Sequence, residues 1–262
     1  MLKSFIKYIL QFSLGFDRYL LTFARWKIKT LHTDKKEFDF FWFVNLLPQE
    51  GVILDIGANI GIMSYHLCKK RPKSQVHAYE PIPQNFQTLE AIKKQYQLDN
   101  LEINCLALGN TSGTVEMILP TVERVKMQGL SHVKHPSITE FNEGEIHEAT
   151  VKTLDEIYPV GTEPITGIKL DVENFEFFVL EGGRELIKRD HPIIYAELWD
   201  NENRGKTFDL LHRLGYTTYV VQRDRMIKWN DAITNKQNFI FISGFEIDSL
   251  PLKDFADYIM KQ

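Results

Sequence analysis

The chain has 262 residues, of which 44% are hydrophobic, 25% charged and 12% aromatic. That ordinary globular mixture excludes wholesale disorder, and the length is enough to bury a core without disulfide or metal staples. Two cysteines, Cys68 and Cys105, exclude a disulfide scaffold and read as reduced core thiols, while a net charge of -4 excludes a globally basic nucleic-acid binder.

The charge is unevenly spread. Residues 1–29 hold Lys3, Lys7, Arg18, Arg25, Lys27 and Lys29 against Asp17 alone, a balance of +5, so the remainder carries -9. The same segment is rich in large apolar residues, among them Phe5, Ile6, Ile9, Leu10, Phe12, Leu14 and Trp26. Lys7, Gln11, Asp17 and Arg18 interrupt it too often for a transmembrane helix, and no small residues are placed for signal cleavage. Two readings stand: helices packed on the domain, or a basic aromatic helix lying on an anionic membrane surface.

From Gly51 onward, short β-branched runs alternate with longer helical stretches. Val52–Ile56, Gln75–Glu80 and Leu101–Leu106 read as strands, with helices over Gly61–Lys70 and Pro83–Gln97 between them. Proline opens the second helix, where its missing N–H costs nothing. Thr114–Leu119 reads as an added strand, and residues 120–145, polar and aperiodic, read as a long loop or lid. A short strand near Glu148–Lys152 and a short helix at Leu154–Tyr158 follow. Ile165–Val172 and Pro192–Leu198 read as strands, Phe175–Arg189 and Glu202–Leu214 as helices, although Gly182-Gly183 weakens the former. Tyr216–Gln222 and Asn238–Ser243 read as late antiparallel strands and Asp254–Met260 as a terminal helix. Strand–helix alternation of this kind implies an α/β fold with a mostly parallel sheet covered on both faces, and one domain behind an N-terminal extension.

In such sheets ligands bind beyond the carboxyl ends of the strands. The first strand ends in Asp55-Ile-Gly57-Ala-Asn59-Ile-Gly61. Its two glycines allow a tight turn and a close backbone approach to a ligand. A dinucleotide fingerprint needs glycine also at the positions held here by Asn59 and Ile62, so a pyrophosphate would meet side chains. Glu80 ends the second strand, where a carboxylate can accept hydrogen bonds from both hydroxyls of a ribose. Adenosine without phosphates beside an acidic rim suggests S-adenosylmethionine, with Asp55 holding its cationic amino-acid end.

Ile168-Lys-Leu-Asp171-Val-Glu173-Asn-Phe175-Glu176, followed by Val179-Leu-Glu-Gly182-Gly183, resembles the I-K-I-D-V-E-G-x-E…V-L-x-G-A signature of FkbM-type methyltransferases. Leu54–Gly61 is similar to that family's cofactor loop, Glu80-Pro-Ile-Pro-Gln-Asn-Phe86 to its E-P-x-P-x-x-F segment, Ala107–Gly113 to its A-L-G-x-x-x-G turn, Thr153-Leu-Asp155 to its T-L-D element and Asn238–Phe241 to its closing strand. Asn174 departs from the family's usual glycine, but asparagine tolerates positive φ better than most residues. The resemblance implies a Rossmann-like class I methyltransferase fold, with a seven-stranded sheet, an antiparallel last strand and helices on both faces. Residues 1–48 are then a helical extension and residues 49–262 the domain, with an insertion over 114–152. It further implies S-adenosylmethionine as donor, held by Asp55, Gly57, Asn59, Gly61, Glu80, Pro81, Asn85 and Leu106, a cytoplasmic enzyme, and an acceptor hydroxyl on a sugar of a glycan or glycosylated metabolite.

Methyl transfer to an alcohol needs in-line approach and a group to take the proton. Asp171 or Glu173 is the expected base, with Glu197, at the end of the next strand, orienting the acceptor. Their mutual repulsion would raise a pKa into a useful range. Three other readings remain open at this point: the two acids cap the following helix, the three acids hold a divalent ion, or Lys169 pairs with one of them. His132 and His135 read as solvated loop residues more readily than as a base, His66 and His77 as structural, and Trp199 either as a sugar platform or as core. The competing functions are a nicotinamide-dependent oxidoreductase and a non-catalytic glycan or membrane-surface module on the same fold.

Overall fold

The computed structural model describes residues 2–136, 138, 140–222, 225–244 and 249–251. Three helices come first: α1 (Leu2–Leu14), α2 (Phe16–Thr30) and α3 (Phe38–Leu46). The alternating part begins with β1 (Glu50–Ile56), α4 (Ile62–Lys70), β2 (Lys73–Tyr79), α5 (Pro83–Tyr96) and β3 (Leu101–Asn104). Five strands follow: β4 (Ala107–Leu108), β5 (Gly113–Val122), β6 (Val125–Lys126), β7 (His132–Val133) and β8 (Gly144–Lys152). Then come α6 (Leu154–Ile157), β9 (Ile165–Leu170), α7 (Glu176–Glu181), α8 (Arg184–Asp190), β10 (Ile193–Glu197) and α9 (Glu202–Arg213). The last described strands are β11 (Tyr216–Gln222), β12 (Arg225–Lys228), β13 (Asn238–Ser243) and β14 (Ser249–Pro251). The helix expected at Asp254–Met260 lies outside the described residues.

The main sheet has the order β14-β12-β11-β13-β10-β9-β1-β2-β3. β1 runs parallel to β2 and β9, and β10 parallel to β9, while β13 runs antiparallel to both β10 and β11. The seven expected strands are therefore present, with β13 as the reversed one, and β12 and β14 extend the edge to nine. The chain leaves β1 toward β2 and β3, then crosses to β9 on the other side. That reversal opens a crevice above β1 and β9, where ligands bind in such sheets.

The strands alternate between two cores, because successive side chains point to opposite faces. Ile53, Val76, Tyr195 and Tyr219 pack with Leu20, Ala24, Phe40 and Phe43 of α2 and α3 on one face. Leu54, Ile56, Ile168 and Leu170 pack with Val179, Leu180 and Leu211 on the other. Each such buried side chain contributes about 1.5–3 kcal/mol. Of residues 1–29, α2 packs on the domain, whereas α1 leaves Phe5, Ile6, Ile9, Leu10, Phe12 and Leu14 exposed.

Three expectations are corrected. The insertion is more ordered at its two ends than expected: β5 pairs along β8 from Gly113–Val151 to Pro120–Gly144, and with β4, β6 and β7 forms a second sheet, while most of the chain over 123–143 is irregular, as expected. A Cβ on Gly144 would stand 2.1 Å from the Leu119 carbonyl oxygen, so glycine permits that close pairing. The helix expected at Phe175–Arg189 is two helices, broken at Gly182-Gly183, and Gly182 lies so close to the Gly109 carbonyl that a Cβ would sit 2.0 Å away. Of the two cysteines only Cys68 is buried; Cys105 is exposed.

Candidate active site

The crevice is a cleft of about 580 Å³, part of it open to solvent. Gly57, Asn59, Glu80, Pro81, Asn85 and Leu106 line it from one side, and Asp171, Val172 and Glu173 from the other. Six of the eight expected cofactor residues thus meet at one wall. Asp55 and Gly61 do not, and their roles differ from expectation. Asp55 is fully buried beneath the loop, accepts a 2.5 Å hydrogen bond from the Ser64 hydroxyl and lies 3.4 Å from the Lys169 ammonium. It anchors the loop and presents no atom to a ligand's amino group. Gly61, at φ +80, starts α4 against Leu89, where a Cβ would lie 2.4 Å from Leu89 Cδ1. Gly57, at φ +75, permits close approach not of a ligand but of the Asp171 carbonyl oxygen, 1.8 Å from where a Cβ would stand.

Asn59 turns the loop at φ +51. Its N–H donates to Glu80 Oε2 at 2.8 Å, while Glu80 Oε1 accepts from the Ile82 N–H at 2.9 Å and from Asn85 Nδ2 at 3.3 Å. A carboxylate offers about four lone-pair sites, so three are taken and one is left for a ligand. Glu80 can therefore receive one ribose hydroxyl rather than the expected two. The other acceptors on this wall are amides: Asn85 is 1% exposed, and its Oδ1, like that of Asn59, has no hydrogen-bond partner. A buried acceptor without a donor costs about 1–3 kcal/mol. The wall is thus short of donors, which a ligand with vicinal hydroxyls or an amine would supply. Burial pushes the Glu80 carboxyl up to about 7, against the pull of its three donors.

The opposite wall is the turn after β9. Glu173 and Asn174 both take positive φ, +52 and +76. Asparagine does fill the place where the family's text has glycine, and its side chain adds a function: Asn174 Oδ1 accepts from Asn201 Nδ2, and its carbonyl from Asn203 Nδ2 at 3.1 Å. These amides tie the turn to the start of α9. The alternative that Asp171 or Glu173 caps this helix finds no such hydrogen bond. Glu176, buried at the start of α7, reaches back instead, accepting from the N–H groups of Val172 at 3.0 Å and Asn174 at 3.2 Å. Burial raises the Glu176 carboxyl to about 8.

Lys169 stands between the two walls, 2% exposed. Its ammonium donates to the Gly57 carbonyl at 2.9 Å and lies 3.4 Å from Asp55 Oδ1 and 3.7 Å from Asp171 Oδ2. It pairs with two acids rather than one. Among the described residues no group of His, Cys, Asp and Glu is arranged to hold a metal ion, and an ammonium occupies the centre of the acid cluster. Around it burial and then Asp171, Glu197 and Glu176 push the Glu173 carboxyl up to about 10. Asp171, followed by burial, raises Glu197 to about 7. Glu197 lines neither this cleft nor its neighbour. Two acids of the N-terminal helical region join the field: burial raises Glu37, which also feels Asp171, and raises Asp39 to about 6. No local motif marks either residue.

A second cavity, of about 720 Å³, adjoins the first. Trp199, Asp200, Asn201 and Gln237 line one side, His132, Glu140 and Phe141 another, and Glu173 and Asn174 the wall toward the cleft. His132 is buried rather than solvated, and its Nδ1–H donates to the Leu130 carbonyl at 2.8 Å. His135 packs its ring on Phe178 and Phe175, with centroids 4.8 and 5.7 Å apart. His77 is stacked on Tyr158, and His66 is wedged between Phe41 and Tyr65, where burial lowers it to about 4.

This geometry has counterparts. The 2-O-methyltransferase NoeI of Sinorhizobium fredii is 28% identical over 168 residues, 61% of this chain and 68% of its own length. The AMB antimetabolite synthetase AmbE of Pseudomonas aeruginosa is 25% identical over 222 residues, 71% of this chain, which spans only 10% of that protein. The crystal structure of methyltransferase FkbM from Methylobacillus flagellatus shares the fold with a TM-score of 0.50 at 17% identity, covering 74% of this chain and 44% of the other. The methyltransferase FkbM domain matches residues 55–222, from the aspartate under the first loop to the end of β11. That stretch is well over half of the chain and contains both walls of the cleft; the protein belongs to the FkbM methyltransferase-domain family.

Proposed function

We propose that the protein is an S-adenosylmethionine-dependent O-methyltransferase whose acceptor is a sugar hydroxyl. The observation that carries this reading is the position of Glu173, which lines both cavities, one of which would take the donor and the other the acceptor. S-adenosylmethionine would supply a methyl group already activated on a positive sulfur. The cleft's donor-poor wall fits its nucleoside: Glu80 has one free site, and the Asn59 and Asn85 carbonyls have none of their own donors. The second cavity combines an indole face with amide, imidazole and carboxyl groups, a combination suited to a ring with one apolar face and several hydroxyls. Glu173 accepts the acceptor's proton, Asp171 and Lys169 set the field around it, and the Asn174–Asn201 bond holds its turn. NoeI, named as a 2-O-methyltransferase, supports a hydroxyl acceptor. The oxidoreductase reading loses support from Asn59, which stands where a dinucleotide loop has glycine and whose amide donates at 3.4 Å to the Gln128 carbonyl.

Calorimetric titration with S-adenosylhomocysteine and with NADH tests the donor. Mass spectrometry of cellular glycans with and without the protein, read for a gain of one methyl group, tests the acceptor. Glu173→Gln should slow methyl incorporation by about 10²–10⁴-fold while leaving S-adenosylhomocysteine affinity intact. Binding of NADH alone, or full activity of the variant, would refute the proposal.

A further inference from the structure

Helix α1 is amphipathic in the opposite sense to an ordinary surface helix, which turns its apolar stripe inward. At 3.6 residues per turn, Phe5, Ile6, Ile9, Leu10, Phe12 and Leu14 cover about half of the circumference, and all are exposed, Phe12 to 82%. The half-buried Tyr8 and Gln11 lie on the other side. The helix is held in this attitude by fixed contacts. The Gln11 amide donates to the Lys126 carbonyl at 2.9 Å and accepts from the Lys126 N–H at 3.0 Å, while the Lys126 ammonium lies 5.0 Å from the centre of the Phe16 ring. The apolar face is therefore presented outward by design of the contacts behind it.

We infer that α1 is a docking surface for an anionic lipid bilayer. Charge complementarity selects this occupant: residues 1–29 carry +5 while the rest of the chain carries -9, so an anionic surface attracts this end and repels the remainder. No helix among the described residues is long and apolar enough to cross a membrane, so the contact is one of a helix lying in the interface, its aromatic and aliphatic face among the upper acyl chains. α1 is bonded to β6, whose continuation, Gln128 and Gly129, forms part of the cleft's rim, so docking brings that rim toward the bilayer.

The test is sedimentation of the full chain with vesicles of phosphatidylcholine alone and of phosphatidylcholine with about one-third phosphatidylglycerol. Partition onto the anionic vesicles should be at least about tenfold stronger and should weaken with salt. Ile9→Glu with Phe12→Glu should abolish it while thermal midpoint stays unchanged, since both side chains already face solvent. Equal binding to both vesicles, no binding, or undiminished binding of the variant would overturn the inference. So would a concentration-dependent dimer in vesicle-free solution that the double substitution dissolves, for then a second copy covers the face. None of these readouts needs a methyl donor, so the inference stands or falls apart from the proposed reaction.

Discussion

Replacing Lys169 by methionine isolates the element that joins the two walls of the cleft. Methionine keeps most of the volume and removes the charge. The Lys169 ammonium lies 3.4 Å from Asp55 Oδ1, a distance at which unit charges attract by about 5 kcal/mol at an effective dielectric near 20. Much of that is offset by desolvation in the intact protein. Removing one partner leaves the desolvation of the other uncompensated, at a cost of about 3–5 kcal/mol. The conditions for the full penalty are met, because Asp55 is 0% exposed and its Oδ1 has no hydrogen bond to fall back on. The Gly57 carbonyl also loses its donor. Urea unfolding should therefore show Lys169→Met less stable by about 3–5 kcal/mol. Adding Asp55→Asn should recover a part of the loss, since the orphaned charge is then gone. A loss under about 1 kcal/mol, or a second substitution that deepens it, would refute the idea of a buried ion pair between the walls.

Gly57→Ala should destabilise the fold by about 2–5 kcal/mol, the sum of a left-handed residue with a Cβ and of forced overpacking, because the new Cβ meets the Asp171 carbonyl. A melt unchanged from the parent, with only ligand affinity reduced, would return the glycine to the role of making space for a ligand. Stability should also fall as pH rises from about 4.5 to about 7. Glu80 binds its proton in the folded state up to about 7, whereas the unfolded chain releases it near 4.5. Its contribution is fully present below the lower value and is lost through the upper one, about 3 kcal/mol in all. Urea midpoints measured across that window check the sign, and a midpoint that rises with pH would contradict it.

The parts of this molecule legible from residues alone are those fixed by local pattern. Val52–Ile56 and Ile165–Leu170 are brief and β-branched between turn residues, which leaves little but buried strands. Glu80 and Glu173 were legible because strand ends face the crevice in any sheet of this topology. What was not legible depends on distant neighbours. Asp55 and Glu80 look alike in the sequence, both acids at strand ends, yet Ser64 and Lys169 turn one inward while the other keeps a free lone pair. Glu176 sits in the same motif as Glu173, but only the positive φ of Glu173 and Asn174 lets the chain fold back over it. The first part of β8 is not legible because Gly144, Glu145 and Ile146 are all exposed and lack the alternation of a half-buried strand. Glu37 lies just before α3, and its link to Asp171 arises only where that helix packs on β10.

The raised pKa of Glu173 has a consequence for how a base can work at this site. A carboxyl that titrates near 10 keeps its proton at neutral pH and cannot take another. Burial and three neighbouring acids hold it there, and the buried cation beside them, Lys169, is already shared between Gly57, Asp55 and Asp171. A positive charge entering the cleft that Glu173 lines lowers the carboxyl's pKa and frees it to act. Under the proposed reaction that charge vanishes with transfer, so the carboxyl regains its affinity for a proton at the moment the acceptor hydroxyl loses one. On that proposal Glu173 acts as a base only while a cationic ligand is bound beside it, and the crowding of carboxyl groups at the crest is the feature that makes it so.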